Sequence, residues 1–136
     1  MSLTLQNLSV GYAGKPVVKD LETTAHAGDF IGLVGPNGAG KSSLLKTLAG
    51  ILPPLGGDAL FGPQSLFSMP RKMRARTLAY LPQDKHANWP LPVQDLITLG
   101  RAPHLGSLGK LSGPDKDAVK TAARRSGCED LLRRNY

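Results

Sequence analysis

The chain has 136 residues, of which 40% are hydrophobic and 20% are charged, and its net charge at neutral pH is +7. This composition is ordinary for a globular protein with one hydrophobic core, and it excludes a disordered chain. No apolar run approaches the roughly 20 residues of a membrane-spanning helix, and the N-terminus lacks a signal peptide's basic-then-apolar order. We therefore expect a soluble, cytoplasmic protein. The single cysteine, Cys128, excludes an intrachain disulfide and a cysteine-rich metal site.

The positive charge is compatible with nucleic acid, an anionic membrane surface or a solvated basic exterior. Basic residues cluster at 71–76 and again at 124–134, but few aromatic residues are interleaved with them for base stacking. This distribution favours a basic flank beside membrane-embedded partners over direct nucleic-acid binding.

The first 25 residues predict two strands joined by a turn. Leu3, Leu5, Leu8 and Val10 mark a short strand with imperfect alternation, a glycine-containing turn surrounds Tyr12, and residues 17–25 form the next strand. These strands precede an apolar run at 30–34 that is typical of a buried parallel strand. The order predicts an antiparallel layer beside a parallel one.

Residues 35–42 match the pattern G-x-x-x-x-G-K-[ST]. The apolar run at 30–34 precedes them, and leucines at helical spacing follow until Pro53 and Pro54 end the helix. Glycines let successive backbone amides turn toward phosphate oxygens, and the positive end of the helix points at the same anion. Lys41 then supplies a charge for the outer phosphates, and the Ser42 hydroxyl a ligand for Mg²⁺. The pattern predicts a nucleotide site.

The remainder predicts alternating strands and helices. We expect a short strand at 59–61, a helix at 65–76 despite Pro70, and a strand at 77–81 that enters the core. A loop containing Trp89, interpreted as a docking contact, precedes a helix at 93–101. Residues 102–114 are linker-like, a helix at 115–126 stops at Gly127, and a short helix covers 129–134.

The residues at the variable positions of the phosphate-loop pattern indicate a particular family more specifically than the fixed positions do. The run from Gly35 to Ser43, Gly-Pro-Asn-Gly-Ala-Gly-Lys-Ser-Ser, resembles the Walker A motif of ATP-binding cassette (ABC) ATPases. Tyr12 is similar to the A-loop aromatic that stacks on adenine, residues 48–50 with Gly56-Gly57 resemble the family's helix end and turn, and residues 78–83 resemble the strand into the Q-loop glutamine.

The resemblance covers essentially the whole chain. It implies an α/β P-loop NTPase with a RecA-like parallel sheet core and an N-terminal antiparallel β layer. Residues 1–92 would be the N-terminal part of the catalytic core, and residues 93–136 the start of a helical subdomain. The family's cofactors are ATP and Mg²⁺, with Ser42 and Gln83 at the metal. The implied nucleotide-binding residues are Tyr12, Gly35, Pro36, Asn37, Gly38, Ala39, Gly40, Lys41, Ser42, Ser43 and Gln83.

Residues 93–105 resemble the Leu-Gly-Arg-x-Pro-His stretch of ATPases that serve importers of iron-siderophore, haem and cobalamin. This implies that ATP binding and hydrolysis drive uptake of a metal chelate. The implied partners are transmembrane permease subunits and a second ATPase copy, with a periplasmic or surface substrate-binding protein acting indirectly and no direct nucleic acid. The implied location is the inner face of the cell membrane.

The family's Walker B Asp-Glu, signature Leu-Ser-Gly-Gly and switch histidine have no counterpart in these residues, so no catalytic base is identified. Leu111-Ser112-Gly113 is instead interpreted as a loop and helix start, since Pro114 follows. We expect the N-terminal half of an ABC ATPase, truncated before the signature, that binds Mg-ATP with weak or absent hydrolysis. Two alternatives stay open: a soluble ABC-type ATPase acting on nucleic acid or the ribosome, and another P-loop kinase or GTPase, although the guanine motif Asn-Lys-x-Asp is absent.

Overall fold

The computed structural model describes residues 2–83, 90–106 and 109–136. The chain divides into two compact units, Met1–Tyr80 and Leu81–Tyr136. The interpretation of Trp89 as a docking contact lies outside the described residues. Among the helices that the structure describes, none combines the length and the apolar content required to cross a membrane.

The first unit is built on a four-stranded antiparallel sheet with strand order β2-β1-β3-β4. Its strands are β1 (Ser2–Tyr12), β2 (Lys15–His26), β3 (Gly56–Phe61) and β4 (Gln64–Ser65). The central strand β1 pairs antiparallel with both β2 and β3. The antiparallel layer predicted from the N-terminal residues is therefore present.

A bulge explains the imperfect alternation of β1. Leu5 pairs with Thr23 and Leu8 with Leu21, so β1 advances three residues where β2 advances two. Asn7, which lies in this shift, has a φ of 46°. The extra residue returns Leu8 to the face of the sheet that carries Leu5, and both side chains are buried.

The core of the first unit lies between the sheet, helix α1 (Lys41–Leu48) and the segment between β4 and helix α2 (Arg71–Thr77). Partly buried leucine, valine and phenylalanine side chains surround it. The buried apolar residues of this core are Leu5, Leu8, Val10, Leu44, Ala59, Leu66 and Met69.

Helix α1 ends at Leu48, so the prediction that it continues to residue 52 is wrong. Gly50 adopts a φ of 72°, in the left-handed region that ends helices. The amide of Gly50 donates to the Thr47 carbonyl at 2.9 Å, and the amide of Ile51 donates to Lys46 at 2.8 Å. These bonds satisfy the last carbonyls of the helix and turn the chain away.

Residues 30–34 and 77–81 do not form the predicted strands. Phe30 and Val34 are 100% and 93% exposed, and Leu78 follows α2 directly in an extended conformation. A strand is maintained by hydrogen bonds to a neighbouring strand. Every strand pairing in the described part of the first unit is antiparallel and involves other residues.

The helix predicted for residues 65–76 is shorter than expected. Pro70 lies at its N-cap with a φ of −52°, and α2 begins at Arg71. A proline disfavours helical geometry in the residue before it, so the preceding residues cannot extend the helix. Ser65 instead belongs to β4, and Leu66 and Met69 are buried in the core.

The second unit contains helices α3 (Val93–Leu99) and α4 (Gly113–Arg125), with single 3-10 turns at Ala102–His104 and Glu129–Leu131. The final helix predicted for residues 129–134 is therefore one 3-10 turn. The carbonyls of Leu132 and Arg134 accept hydrogen bonds from Gln94 and Val93 at 3.0 and 2.9 Å. The C-terminal residues thus pair with the start of α3 instead of continuing a helix.

Candidate functional site

The phosphate-loop pattern lies at the N-terminus of α1. Gly40 is the N-cap residue, and the amide of Leu44 makes the first helical bond, to the Gly40 carbonyl at 2.8 Å. The amides of residues 41–43 consequently have no acceptor within the helix. These donors and the positive end of the helix dipole lie together, as in an anion-binding site.

The loop is in contact with the sheet on one side and open on the other. Gly40 is buried with a φ of 91°, and a Cβ there would lie 2.7 Å from Val18 Cγ2 and 2.8 Å from Val17 Cγ2. A side chain at Gly38, whose φ is 83°, would meet no atom within 4 Å. The inner side is closed by contact with β2, and the outer side is open at Gly38.

Lys41 closes the loop into a ring. Its Nζ donates to the carbonyl oxygens of Gly35 at 2.6 Å and Pro36 at 2.7 Å. An ammonium has three donors, so one stays available to an anion above the loop. Ser42, the next residue, is exposed on the first turn of α1 and can offer its hydroxyl to a cation beside that anion.

Tyr12 lies at the end of the β1–β2 hairpin. It pairs with Lys15 across a two-residue turn in which Ala13 and Gly14 have φ values of 50° and 76°. The Tyr12 side chain is 71% exposed. Since β2 leaves this turn and contacts Gly40 through Val17 and Val18, the hairpin end and the phosphate loop are neighbours. Adenine stacking by Tyr12 stays a prediction.

Gln83 is exposed and belongs to the second unit, whereas the phosphate loop belongs to the first. Its role at Mg²⁺ also stays a prediction.

The second unit contains a buried carboxylate, Asp115, whose contacts are not predicted by the sequence analysis. Arg101 donates to Asp115 Oδ1 through Nε at 2.9 Å and through a terminal nitrogen at 2.8 Å. Oδ2 of Asp115 accepts from the Ser112 hydroxyl at 2.5 Å and from the Ser112 amide at 3.0 Å. The side chain of Asp115 is 8% exposed.

These contacts lower the pKa of Asp115 from its ordinary 3.8 to about 2, chiefly through the Ser112 hydroxyl and then through Arg101. Ser112 is also the N-cap of α4, which confirms that Leu111-Ser112-Gly113 is a helix start. The capping-box spacing Ser-x-x-Asp is the sequence signal that identifies the pair Ser112 and Asp115, but it does not indicate the contact with Arg101. Arg101, from the importer-like stretch, is therefore a structural contact of α4 in this chain.

Comparison with known proteins identifies relatives over nearly the whole chain. The ABC transporter family model matches residues 18–136. The hemin import ATP-binding protein HmuV of Pseudomonas aeruginosa is 37% identical over 98% of the chain and 51% of its own length. The iron(3+)-hydroxamate import ATP-binding protein FhuC of Bacillus subtilis is 33% identical over 98% of the chain and 49% of its own length. The manganese transport system ATP-binding protein MntB of the same organism is also 33% identical, over 96% and 51%.

A solved structure of an ABC transporter ATP-binding protein from Pyrococcus furiosus superposes with a TM-score of 0.72 and 27% identity, covering 98% of this chain and 61% of the other. The P-loop NTPase fold class is thereby confirmed, although the parallel strands predicted at 30–34 and 77–81 are not formed. The chain spans about half the length of the curated relatives that it matches. The extent of the match, the fold and the phosphate loop agree, and the chain belongs to the ABC transporter family of ATP-binding proteins.

Proposed function

We propose that this chain is the nucleotide-binding part of an ABC importer ATPase and that it binds Mg-ATP. The observation that carries the proposal is the loop over residues 35–41, which Lys41 closes and which leads into the N-terminus of α1 beside the hairpin end that bears Tyr12. We also propose the domain assignment predicted from the sequence, with residues 1–92 as the N-terminal part of the catalytic core and residues 93–136 as the start of the helical subdomain. The boundary between the two compact units lies earlier, after Tyr80.

In this proposal different residues bind the phosphates, the adenine and the Mg²⁺ ion. Lys41 and the amides of the first turn of α1 hold the phosphates, and Tyr12 stacks on adenine. Ser42 and Gln83 offer oxygens to Mg²⁺, which when bound neutralises charge on the outer phosphates. The remaining loop residues, Gly35, Pro36, Asn37, Gly38, Ala39, Gly40 and Ser43, supply the backbone around the phosphates.

Titration with a fluorescent ATP analogue in the presence of Mg²⁺ tests the binding proposal. Lys41→Ala should weaken binding at least about tenfold, since a charge-assisted contact contributes about 1.5–3 kcal/mol. Lys46→Ala, which removes an exposed lysine from the last turn of the same helix, is the matched control and should bind like the parent chain. Equal affinity of all three proteins would overturn the proposal, as would a strong preference for GTP in competition.

We further propose that hydrolysis by these residues alone is slow. Phosphoryl transfer depends on positioning and on charge stabilisation around the attacking water, and no catalytic base is identified in this sequence. A steady-state phosphate-release assay should give background turnover at ATP concentrations that saturate binding. Turnover at rates typical of the family's complete ATPases would contradict this.

For the cargo we propose a metal chelate of the iron-siderophore, haem or cobalamin class. The support is the stretch at 93–105 and the similarity to the hemin and iron-hydroxamate import proteins. Deletion of the gene should abolish uptake of at least one labelled chelate. Labelled manganese is the comparison, because MntB and FhuC are each 33% identical to this chain. Loss of manganese uptake alone would overturn the cargo assignment.

The proposed partners are a pair of transmembrane permeases and a second copy of the ATPase at the inner face of the membrane, with a substrate-binding protein acting indirectly. Affinity purification from detergent-solubilised membranes should recover the permeases. Recovery of ribosomes without permeases would favour the soluble ABC-type alternative, which the net charge of +7 permits.

A further inference from the structure

The β1–β2 pairing has three register shifts, and the last of them lies at the hairpin end, next to the phosphate loop. Val10 pairs with Val18 and Gly11 pairs with Pro16, so Val17 is an additional residue in β2. Gly11 is buried, and a Cβ there would collide with the Lys15 carbonyl oxygen. The absent side chain of Gly11 therefore permits the close approach of the two strands at this point.

A bulge redirects side chains that would otherwise alternate between the two faces of a sheet. Val17 and Val18 are consecutive, yet a Cβ on Gly40 would lie within 2.8 Å of a methyl group from each. Both valines thus contact the same backbone position of the phosphate loop. Val18 also packs against the hydrophobic core, whereas Val17 is 48% exposed.

Gly40 is the residue at which the loop becomes a helix. Its φ of 91° sets the direction of the amides that follow, and its carbonyl accepts the first bond of α1, from Leu44. Any displacement of Gly40 would move these donors relative to a bound anion, and preorganised donors lose affinity when they are misplaced.

We propose that Val17 and Val18 are positioning residues for the phosphate loop: the bulge at Val17 holds Gly40 in its left-handed conformation and thereby orients the phosphate-binding amides. The identity of the ligand rests on the proposed function, whereas the contact of both valines with Gly40 rests on packing alone. The proposed role of the hairpin end is toward the phosphates, separate from the predicted stacking of Tyr12 on adenine.

Affinity measurements distinguish this role from a contact with the base. Val17→Ala should weaken both Mg-ATP and inorganic tripolyphosphate, measured by displacement of a fluorescent ATP analogue, by a similar factor of about three to thirty. Val17→Ile, which retains both methyl-bearing branches, should restore both affinities. Thr23→Ala is the matched truncation, at an exposed position of β2 distant from the hairpin turn, and should change neither. Weaker ATP binding with unchanged tripolyphosphate binding would overturn the proposal.

Hydrogen exchange without ligand separates this inference from the proposed function. In Val17→Ala the Leu44 amide, which donates to Gly40, should exchange several-fold faster, and the β1–β3 amides should exchange as in the parent chain. Unchanged exchange at Leu44 would refute the positioning role even if ATP binds. If the parent chain binds neither ATP nor tripolyphosphate, the proposed function fails while the exchange result still decides the positioning role.

Discussion

Thr47 has a buried hydroxyl group in the last turn of α1. The residue has 0% exposure, and within the described residues its Oγ1 has no hydrogen-bond partner. Its neighbours in the unit include the apolar core residue Leu44, one turn earlier on the helix. Burying a hydroxyl without a partner costs roughly 1–3 kcal/mol, so Thr47 lowers the stability of a core that its methyl group helps to fill.

Thr47→Val should therefore raise the free energy of unfolding by about 1 kcal/mol, because it replaces the hydroxyl by a methyl group of the same shape and leaves helix propensity unchanged. Thr47→Ser, the matched control, keeps the hydroxyl and removes the methyl group, and should lower stability by about 1 kcal/mol. Urea unfolding followed by circular dichroism measures both changes. A less stable valine variant would show that the hydroxyl is hydrogen-bonded in solution.

At the scale of elements, the N-terminus of α4 depends on one carboxylate. Asp115 accepts hydrogen bonds from Ser112 and from Arg101, fourteen residues earlier, and so attaches the end of the α3 segment to the start of α4. Its folded-state pKa of about 2 lies below its ordinary 3.8. The ionised form is thus favoured by folding, and this contribution to stability is present above about pH 4 and lost as the pH falls toward 2.

Asp115→Asn should flatten the pH dependence of unfolding between about pH 4 and pH 2, while lowering stability at neutral pH because Arg101 loses its ionic partner. The measurement is the urea midpoint at a series of pH values. Asp117→Asn changes an exposed carboxylate on the same helix and should retain the pH profile of the parent chain. If Asp115→Asn and the parent chain lose stability in parallel below pH 4, the depressed pKa is wrong.

The elements differ in how far local sequence determines them. The phosphate loop and strands β1 and β2 could be predicted because glycine positions, alternation and turns are local signals. The strand at 30–34 could not, since its formation depends on a hydrogen-bonded neighbour and the described strand pairs involve other residues. Val17 contacts Gly40, and Arg101 contacts Asp115, across long separations in sequence. Neither contact could be predicted, because a bulge or an ion pair between distant residues does not change the hydrophobic periodicity of the sequence.

At the scale of the whole molecule, the first unit exposes four large apolar side chains within one five-residue segment. Phe30, Ile31, Leu33 and Val34 are 100%, 60%, 43% and 93% exposed. Isolated exposed apolar residues are common, but a continuous apolar segment without strand partners is a template for association with another chain. Burial of each large side chain contributes roughly 1.5–3 kcal/mol, which offsets part of the entropy that two chains lose on association.

We therefore expect the isolated chain to bind the dye ANS and to self-associate as its concentration rises, despite a net charge of +7 that opposes association. Combining Phe30→Ser with Val34→Ser should reduce both dye fluorescence and the average mass in sedimentation velocity. Leu131→Ser, at an apolar residue that is 41% exposed in the second unit, is the control and should change neither. If the parent chain stays monomeric and does not increase ANS fluorescence as its concentration rises, residues 30–34 are covered in solution.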